Sequence, residues 1–326
     1  MIRLGRVVAV VLLVVSVGTA WATGAGATAT ATSKQTPPYL TLLMAHSAWT
    51  AVDAQCQPLP GIVNLRWQAP EYAAHHLTIT ASVITSWVAP TTRTCIASLP
   101  LSPAPKPLLI ASWADLAMLR AQYGWKFISQ GQRYVDALNL PPWQQFSEIC
   151  GSVQALQAHG YPEAVGLFAY PNNYYDVALQ RQTVNQCYDF GRIYASTFNS
   201  QAKTGPPWFA KTFSFNGGRC NNPGLPCSTL ATRFTYGSPV TLAQYLNPGP
   251  GQWSIVQMYR FATGSNTTGS TLQWDCTSPN WRDHWTNSTE LYCWKDFVQA
   301  LKQIGPSVVT IDPAGVAAAW GRSLGA

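Results

Sequence analysis

Helical and strand patterns alternate twice between residues 113 and 175, and this alternation constrains the fold more than any other feature of the sequence. A capping-box sequence that begins at Ser112 opens a helix, and an apolar strand of residues 126–129 follows it. Pro142 opens a second amphipathic helix, which precedes an apolar strand of residues 165–170. Strands that alternate with helices of this length predict an α/β fold built on a parallel sheet.

The carboxyl ends of these two strands carry polar and aromatic side chains. Ser129 and Gln130 end the first strand, and Tyr170 ends the second, with Asn172 and Asn173 just beyond it. In parallel sheets the ligand site lies beyond the carboxyl ends of the strands. The sequence therefore predicts a binding site at this edge of the sheet.

Further apolar segments extend this pattern over residues 38–326, which we interpret as one domain. The other predicted strands are residues 39–44, 77–84, 192–198, 213, 253–259 and 308–311. An amphipathic helix is predicted over residues 294–304, and a short last helix follows Asp312 and Pro313. The segments near 199–240 and 263–292 are predicted as loop insertions. A Pro- and Cys-containing loop is predicted after the first strand, and a Pro-, Thr- and Ser-rich loop over residues 89–108.

The first 27 residues match a secretory signal peptide. Arg3 and Arg6 precede an apolar run that ends at Val17, and small residues that suit signal cleavage follow. Retention as a membrane anchor is the alternative. Residues 28–37 predict a flexible spacer, and no later apolar run is long enough to span a membrane in the mature chain.

The composition is consistent with a secreted protein that works among anionic polymers. Charged residues make up only 10% of the chain, which carries 14 Trp and 14 Tyr. The formal charge is +7, and removal of Arg3 and Arg6 with the signal leaves +5. Such an excess favours anionic surroundings such as cell-wall polysaccharide. Because the basic residues are not clustered, the sequence predicts no nucleic-acid-binding surface.

An even number of cysteines in an exported chain predicts disulfides. The eight are Cys56, Cys95, Cys150, Cys187, Cys220, Cys227, Cys276 and Cys293. The sequence does not fix their connectivity. Our hypothesis is that neighbours pair, as Cys56–Cys95, Cys150–Cys187, Cys220–Cys227 and Cys276–Cys293. A metal-binding role is disfavoured, because no C-x-x-C spacing occurs and no His flanks these positions.

The order of elements resembles that of the polysaccharide deacetylases, the NodB-homology group. The resemblance covers residues 38–322. Leu77–Val83 resembles the second strand of that family, and residues 113–129 resemble the helix and strand that lead to its metal motif. Residues 143–160, followed by Phe168-Ala-Tyr-Pro171, are similar to the next helix and strand end. The resemblance implies a distorted (β/α) barrel of about seven parallel strands. It also implies hydrolysis of acetyl groups on chitin-like glycans, peptidoglycan or xylan.

The sequence departs from that family at its metal and catalytic positions. In the family, one Asp and two His hold a divalent metal, a second Asp is the base and a late His is the acid. Here residues 1–52 contain no acid, and Gln130 and Tyr134 stand where the two histidines are expected. Ala169 replaces the arginine of the family, and the late histidine is missing around Tyr259. We therefore predict neither a metal cofactor nor catalytic residues of the family type.

The five histidines do not rebuild a metal site. His75 and His76 are adjacent, so on a strand they would point to opposite faces. His159 lies at the end of a helix, and His284 lies in the later insertion. Only His46 falls at the carboxyl end of a strand, where a role in a cleft and a structural role both remain open.

The candidate substrate-binding residues are polar and aromatic. They are His46, Gln130, Tyr134, Tyr170, Asn172, Asn173, Asp176 and Tyr259. Aromatic faces beside amides and carboxylates suit sugar rings, which present C–H faces and many hydroxyls. The alternative is that the tyrosines belong to the core and that the two asparagines form only a turn.

Three functions stay open at this point. The first is a secreted deacetylase-like protein that binds a cell-surface or cell-wall glycan without metal-dependent deacetylation. The second is an active carbohydrate hydrolase or deacetylase with relocated catalytic groups, for which Asp53 and Asp176 are candidates. The third is a structural or protein-binding exported module, in which the candidate residues would be scattered.

Overall fold

The computed structural model describes residues 36–101, 107–195, 197–201, 208–214, 239–268, 272–280, 284–286 and 291–322. The predicted signal peptide, nearly all of the predicted spacer and the Cys220–Cys227 pair lie outside these ranges.

Seven parallel strands close into a barrel, which confirms the predicted fold class. We label them β1 (Tyr39–Met44), β2 (Ile79–Val83), β3 (Lys126–Ser129), β4 (Leu167–Ala169), β5 (Phe190–Tyr194), β6 (Phe209–Ser214) and β7 (Gln252–Met258). Each strand pairs with the next one along the chain. The register from Tyr39 opposite Trp253 to Met44 opposite Met258 joins β1 to β7 and closes the ring.

Six helices of seven residues or more are described. They are α1 (Leu65–Ala74), α2 (Trp113–Tyr123), α3 (Pro142–Ala158), α4 (Pro239–Leu246), α5 (Trp294–Leu301) and α6 (Pro313–Ala319). The predicted capping box of α2 forms, because Ser112 Oγ accepts from the Asp115 N–H and the Asp115 carboxylate accepts from the Ser112 N–H. Gly124 ends α2 with φ of 70°.

Alternate side chains of each strand belong to two apolar layers. On β1, Leu40 and Leu42 pack with the surrounding helices, whereas Tyr39 and Leu43 point into the barrel. Large side chains such as Trp253 fill the barrel interior near the amino ends of the strands. Val316 and Trp320 bring helix α6 into this inner cluster, so α6 closes the end of the barrel opposite the candidate site.

The connections between the barrel strands contain further short strands and helical turns. Small sheets are formed by Ala48–Ala51 with Leu108–Ile110 and Thr94–Ile96, by Ile62–Val63 with Arg260–Ala262 and Leu291–Cys293, and by Ser265–Asn266 with Trp274–Asp275 and Trp285–Thr286. Asn199–Ser200 pairs with β7, and Val309–Thr310 pairs with β1. Short helical turns are Thr85–Trp87, Ala137–Asn139, Pro162–Gly166 and Pro171–Asn173, and three short pieces make a helical segment of residues 177–187.

The predictions that the chain after β1 and residues 89–108 form only loops were wrong. Helix α1 lies in the first connection, where Pro70 interrupts the local helical signal. The second connection contains two short strands, Thr94–Ile96 and Leu108–Ile110. Antiparallel pairing with a distant segment stabilises these strands, and local sequence does not encode such pairing.

Three of the four hypothesised disulfides are confirmed. They are Cys56–Cys95, Cys150–Cys187 and Cys276–Cys293, with sequence separations of 39, 37 and 17 residues. Cys150–Cys187 fastens α3 to the helical segment 177–187. Each bridge restricts the unfolded chain and so favours the folded state.

Within the described ranges, no helix combines the length and the apolar character that crossing a membrane requires.

Candidate functional site

The candidate site is built where β1, β2 and β3 end. The His46 N–H donates to Ser82 Oγ at 3.0 Å, and the Ser82 hydroxyl lies 2.8 Å from Gln130 Oε1. His46 Nδ1 is 3.0 Å from the same Gln130 oxygen. His46, Ser82 and Gln130 are at most 6% exposed. The first three strand ends are therefore joined by one buried hydrogen-bond network.

This network fixes how the His46 ring is used. Gln130 Oε1 is a carbonyl oxygen and accepts hydrogen bonds only. His46 Nδ1 must therefore carry the proton that points to Gln130. In the neutral ring Nε2 is then the acceptor nitrogen.

Aromatic rings surround the imidazole. Tyr134 meets the His46 ring edge-on with 5.2 Å between centroids, and Tyr259 is tilted against it at 5.7 Å. Trp87 lies 6.2 Å beyond Tyr134. Tyr134 is buried, whereas Tyr259 and Trp87 are half-buried. The arrangement combines ring faces with amide and imidazole groups at the barrel mouth.

Backbone strain is concentrated in the loops that form this mouth. Of the eight described non-glycine residues with positive φ, five are His46, Ser47, Tyr134, Asn172 and Asn173. They follow β1, β3 and β4. Each such residue costs about 1–3 kcal/mol, and strain of this kind persists where the surrounding structure holds a functional geometry.

A second network crosses from β5 to β7 inside the barrel. Tyr194 Oη accepts a hydrogen bond from Gln257 Nε2 at 2.9 Å and lies 2.5 Å from Tyr259 Oη. The guanidinium of Arg192 stacks on the Tyr194 ring at 4.3 Å. Tyr259 also contacts the His46 ring, so hydrogen bonds and ring contacts together connect Gln130 with Arg192.

The two asparagines lie at the margin of the site. The backbone N–H of Asn172 donates to Tyr134 Oη at 3.3 Å, and Asn173 Oδ1 accepts from the Tyr194 N–H at 2.9 Å. These contacts hold the loop after β4 against the loop after β3 and against β5.

Two predicted site residues point away from the mouth. Tyr170 is fully buried among the outer helices, and its hydroxyl donates to Gln180 Oε1 at 2.5 Å. Burial raises the pKa of the Tyr170 phenol well above its ordinary value. Asp176 Oδ1 accepts from the Leu179 N–H and caps the helical segment 177–187. Tyr170 directly follows β4, and alternation turns its ring outwards while Ala169 faces inwards.

Several residues of the two networks were missed from the sequence. They are Ser82, Arg192, Tyr194 and Gln257. Arg192 is paired in register with Ala169 of β4, at the level where the resemblance led us to expect an arginine. The signal was available in β5, where Phe190, Arg192 and Tyr194 alternate with Gly191 and Ile193.

The side chains at the mouth do not fit a divalent metal of the kind that the resemblance implies. The described networks offer one imidazole, two amides, and serine and tyrosine hydroxyls, and Gln130 already occupies His46 Nδ1. Such a metal is held by carboxylates and imidazoles whose charge offsets the cost of dehydrating the ion. No reaction step is therefore assigned to a metal here.

One other cluster of possible metal ligands lies among the described residues, formed by His284, Cys293 and Asp296. Cys293 is bonded to Cys276 and offers no thiolate. His284 Nδ1 is 2.6 Å from Asp296 Oδ2, and Nε2 is 2.7 Å from the Ser278 carbonyl oxygen, so both ring nitrogens are engaged. Burial raises the pKa of Asp296, although its hydrogen bond to His284 opposes the shift. This cluster ties α5 to the preceding insertion.

No protein-family model and no curated protein matches this chain. Seven solved chains are similar to it, and three of them follow. A Streptococcus pyogenes deacetylase in complex with acetate has 15% identity over 46% of this chain and 54% of its own, with a TM-score of 0.31. A family 4 carbohydrate esterase from Streptomyces lividans in complex with acetate has 11% identity over 86% and 94%, with a TM-score of 0.38.

The third is a polysaccharide deacetylase from Bacillus cereus, with 11% identity over 55% of this chain and 64% of its own and a TM-score of 0.32. The alignment thus spans about half of the Streptococcus pyogenes chain. All three are deacetylases or carbohydrate esterases. At these identities the likeness concerns the fold, and the barrel itself is established by its own strand pairing.

Proposed function

We propose that this is a secreted, deacetylase-like protein whose barrel mouth binds a cell-surface or cell-wall glycan without metal-dependent deacetylation. The observation that carries the proposal is the meeting of His46, Gln130, Tyr134 and Tyr259 at the carboxyl ends of the strands. A structural module would leave these residues scattered.

The chemistry of the mouth supports a sugar as the ligand. Amide and phenol groups exchange hydrogen bonds with hydroxyls in both directions, and tyrosine rings offer faces to C–H groups. The strained loops support a geometry that is preorganised for a ligand. The three confirmed disulfides support the proposed extracellular location.

Asp53 and Asp176, the two candidate relocated carboxylates, accept hydrogen bonds from backbone N–H groups close to them in sequence. Asp53 Oδ1 accepts from the N–H groups of Gln55 and Gln57 in a loop, and Asp176 caps a helical segment. Neither belongs to the hydrogen-bond networks of the mouth. No specific observation therefore favours the hydrolase alternative over glycan binding.

The test is binding of the mature chain to insoluble chitin, to peptidoglycan and to soluble chitooligosaccharides. Gln130→Ala removes the oxygen shared by His46 and Ser82, and we expect binding to weaken at least about tenfold. Tyr134→Phe, which keeps the ring, should weaken binding less. Gln182→Ala is the matched control, because Gln182 is an exposed glutamine outside the site.

Equal glycan binding by Gln130→Ala, Gln182→Ala and the unmodified protein would contradict the proposal, provided that all three unfold at similar temperatures. An assay of acetate release from acetylated chitooligosaccharides, with and without a chelator, accompanies the binding measurement. Acetate release that the chelator abolishes would overturn the statement that deacetylation is absent.

A further inference from the structure

Arg192 is a buried cation that has no carboxylate partner among the residues the structure describes. The side chain is fully buried, and Nη2 donates to the Tyr170 carbonyl oxygen at 3.0 Å. Nε and Nη1 make no hydrogen bond. None of the ion pairs among the described residues includes Arg192. Among the described residues, the other support for the charge is the face of Tyr194.

Leaving a charged guanidinium in this state opposes folding. A buried cation is normally paired with a carboxylate or fully hydrogen-bonded, because transfer from water to the interior is costly. Nearly all buried polar atoms in proteins have partners, so each exception needs an explanation. An uncompensated arginine in the barrel interior is therefore a feature that a bound anion would explain.

Two neighbouring side chains also have polar atoms without partners. Gln257 Oε1 and Thr212 Oγ1 are buried, and neither atom takes part in a hydrogen bond. Thr212 pairs in register with Tyr194 on the adjacent strand, and Gln257 donates its amide proton to the Tyr194 hydroxyl. Arg192, Thr212 and Gln257 are thus grouped around one tyrosine on three successive strands, β5, β6 and β7.

The unpartnered atoms define the chemistry of a complementary ligand. Arg192 needs an anionic acceptor, whereas Gln257 Oε1 can only accept and so needs a hydroxyl or N–H donor. Thr212 Oγ1 can take either role. A carboxylate that carries hydroxyl groups on the same molecule meets all three requirements, and a plain sugar or a simple carboxylate does not.

We propose that Arg192, with Gln257 and Thr212, forms a binding subsite for the carboxylate of a sugar acid. This inference rests on the proposed glycan-binding function and narrows its ligand to acidic sugars. Tyr194 is half-buried and stacks on the guanidinium, so a ligand from the mouth reaches Arg192 past this ring. The hydrogen bonds of the Tyr194 hydroxyl to Gln257 and Tyr259 break when the ligand enters.

Calorimetric titration of the mature chain with sodium glucuronate, glucose and glucose 6-phosphate at constant ionic strength tests the proposal. We expect glucuronate to bind at least about tenfold more tightly than glucose, since a charge-assisted bond exists only with the acid. Arg192→Gln should remove this preference, and Arg192→Lys should keep part of it. Arg181→Gln is the control, because Arg181 is exposed and the net charge changes equally.

Equal affinity for glucuronate and glucose overturns the subsite, as does loss of the preference in Arg181→Gln. Glucose 6-phosphate binding as tightly as glucuronate overturns the carboxylate assignment. If neutral chitooligosaccharides still bind through Gln130, the proposed function survives these failures. If glucuronate binds as expected and Gln130→Ala leaves chitooligosaccharide binding unchanged, the subsite stands and the proposed function fails.

Thermal unfolding without ligand separates a binding role from a structural one. A binding role predicts that Arg192→Gln melts at the same temperature as the unmodified protein or higher, because the substitution removes an unpaired buried charge. It also predicts that glucuronate raises the melting temperature of the unmodified protein and of Arg181→Gln but not that of Arg192→Gln. A strongly lowered melting temperature of Arg192→Gln would show that Arg192 is structural and would overturn the inference.

Discussion

The hydroxyl of Tyr194 determines the packing on the inner face of strand β5, and the missing side chain of Gly191 determines the packing on its outer face. Tyr194 Oη joins Gln257 and Tyr259 on the inner face. On the outer face, Gly191 leaves the space that Gln180 and Tyr170 occupy. The side chain of Gln180 is held there by Tyr170 Oη and by Asn185 Oδ1, at 2.5 and 2.7 Å. Both faces of one strand are therefore sensitive to single-atom changes.

Removal of the Tyr194 hydroxyl is expected to destabilise the interior network. In Tyr194→Phe, Gln257 loses the acceptor of its amide proton while its oxygen already lacks a partner. We expect the free energy of unfolding to fall by about 1–3 kcal/mol. Urea unfolding measures the change. Tyr174→Phe, at a 42% exposed tyrosine, should change it by less than about 0.5 kcal/mol. Equal effects of the two substitutions would refute the role of this hydroxyl.

Adding one methyl group at Gly191 is expected to be harmful. A Cβ at Gly191 would meet Gln180 Oε1 at 1.9 Å and Tyr170 Cε2 at 2.8 Å. Because Gln180 is held by two hydrogen bonds, Gly191→Ala should lower the free energy of unfolding by about 1–3 kcal/mol. Gly305→Ala, where the nearest atom is 3.3 Å away, is the comparison in the same unfolding experiment. The close packing would be disproved if both variants were equally stable.

At the level of elements, helix α2 shows how local sequence and one distant contact cooperate. Ser112 and Asp115 form the capping box, and Arg93 donates two hydrogen bonds to the Asp115 carboxylate at 2.8 and 2.9 Å. Burial raises the pKa of Asp115, but the bonds from Arg93 and Ser112 together outweigh it, and the pKa lies below its ordinary value.

The lowered pKa gives the contribution of Asp115 a pH dependence. A depressed carboxyl pKa stabilises the fold at pH values above the unfolded pKa of about 3.9. This contribution is lost as the pH falls through the lower folded value. Asp115→Asn should therefore lower the free energy of unfolding by about 1 kcal/mol at pH 7, and the difference from the unmodified protein should vanish in strong acid. Urea unfolding at both pH values gives the answer, and a difference that stays constant would disprove the charge contribution.

At the level of the whole molecule, helix α6 closes the barrel at the end opposite the candidate site. The candidate site lies at the other end of the barrel. Trp320 meets Phe190 and Trp253 edge-on, with centroids 6.3 and 5.6 Å away. Arg322 donates to the Asp189 carbonyl oxygen at 2.5 Å and stacks on Trp208 at 3.8 Å. The end of the described chain is thus part of the inner core.

Truncation of the tryptophan that closes the barrel is expected to be severe. Trp320→Ala removes a 9% exposed indole from the inner cluster and should lower the free energy of unfolding by about 3–5 kcal/mol. Trp143→Ala, at a 70% exposed tryptophan on α3, should change it by less than about 0.5 kcal/mol. Unfolding of both variants in guanidinium chloride measures the two changes in the free energy of unfolding. A mild effect at Trp320 would mean that α6 is not needed to close the barrel.

The sequence by itself determined the alternation of strands and helices and the capping box of α2, and the hypothesis that neighbouring cysteines pair was right for three pairs. These features depend on short-range periodicity or on nearby positions, which the order of residues encodes directly. It also placed His46, Gln130, Tyr134 and Tyr259 at strand ends, and these four meet in the structure.

Only the tertiary structure decided which side chains face the barrel interior and which segments pair. Closure of β1 on β7 lets Trp253 Nε1 donate to Thr41 Oγ1 across 212 residues of sequence. The pairing of β4 with β5 sets Arg192 beside Ala169, and strand alternation turns Tyr170 outwards. A shift of one residue in strand register would reverse each of these orientations, and register is fixed by packing between distant segments and not by local sequence.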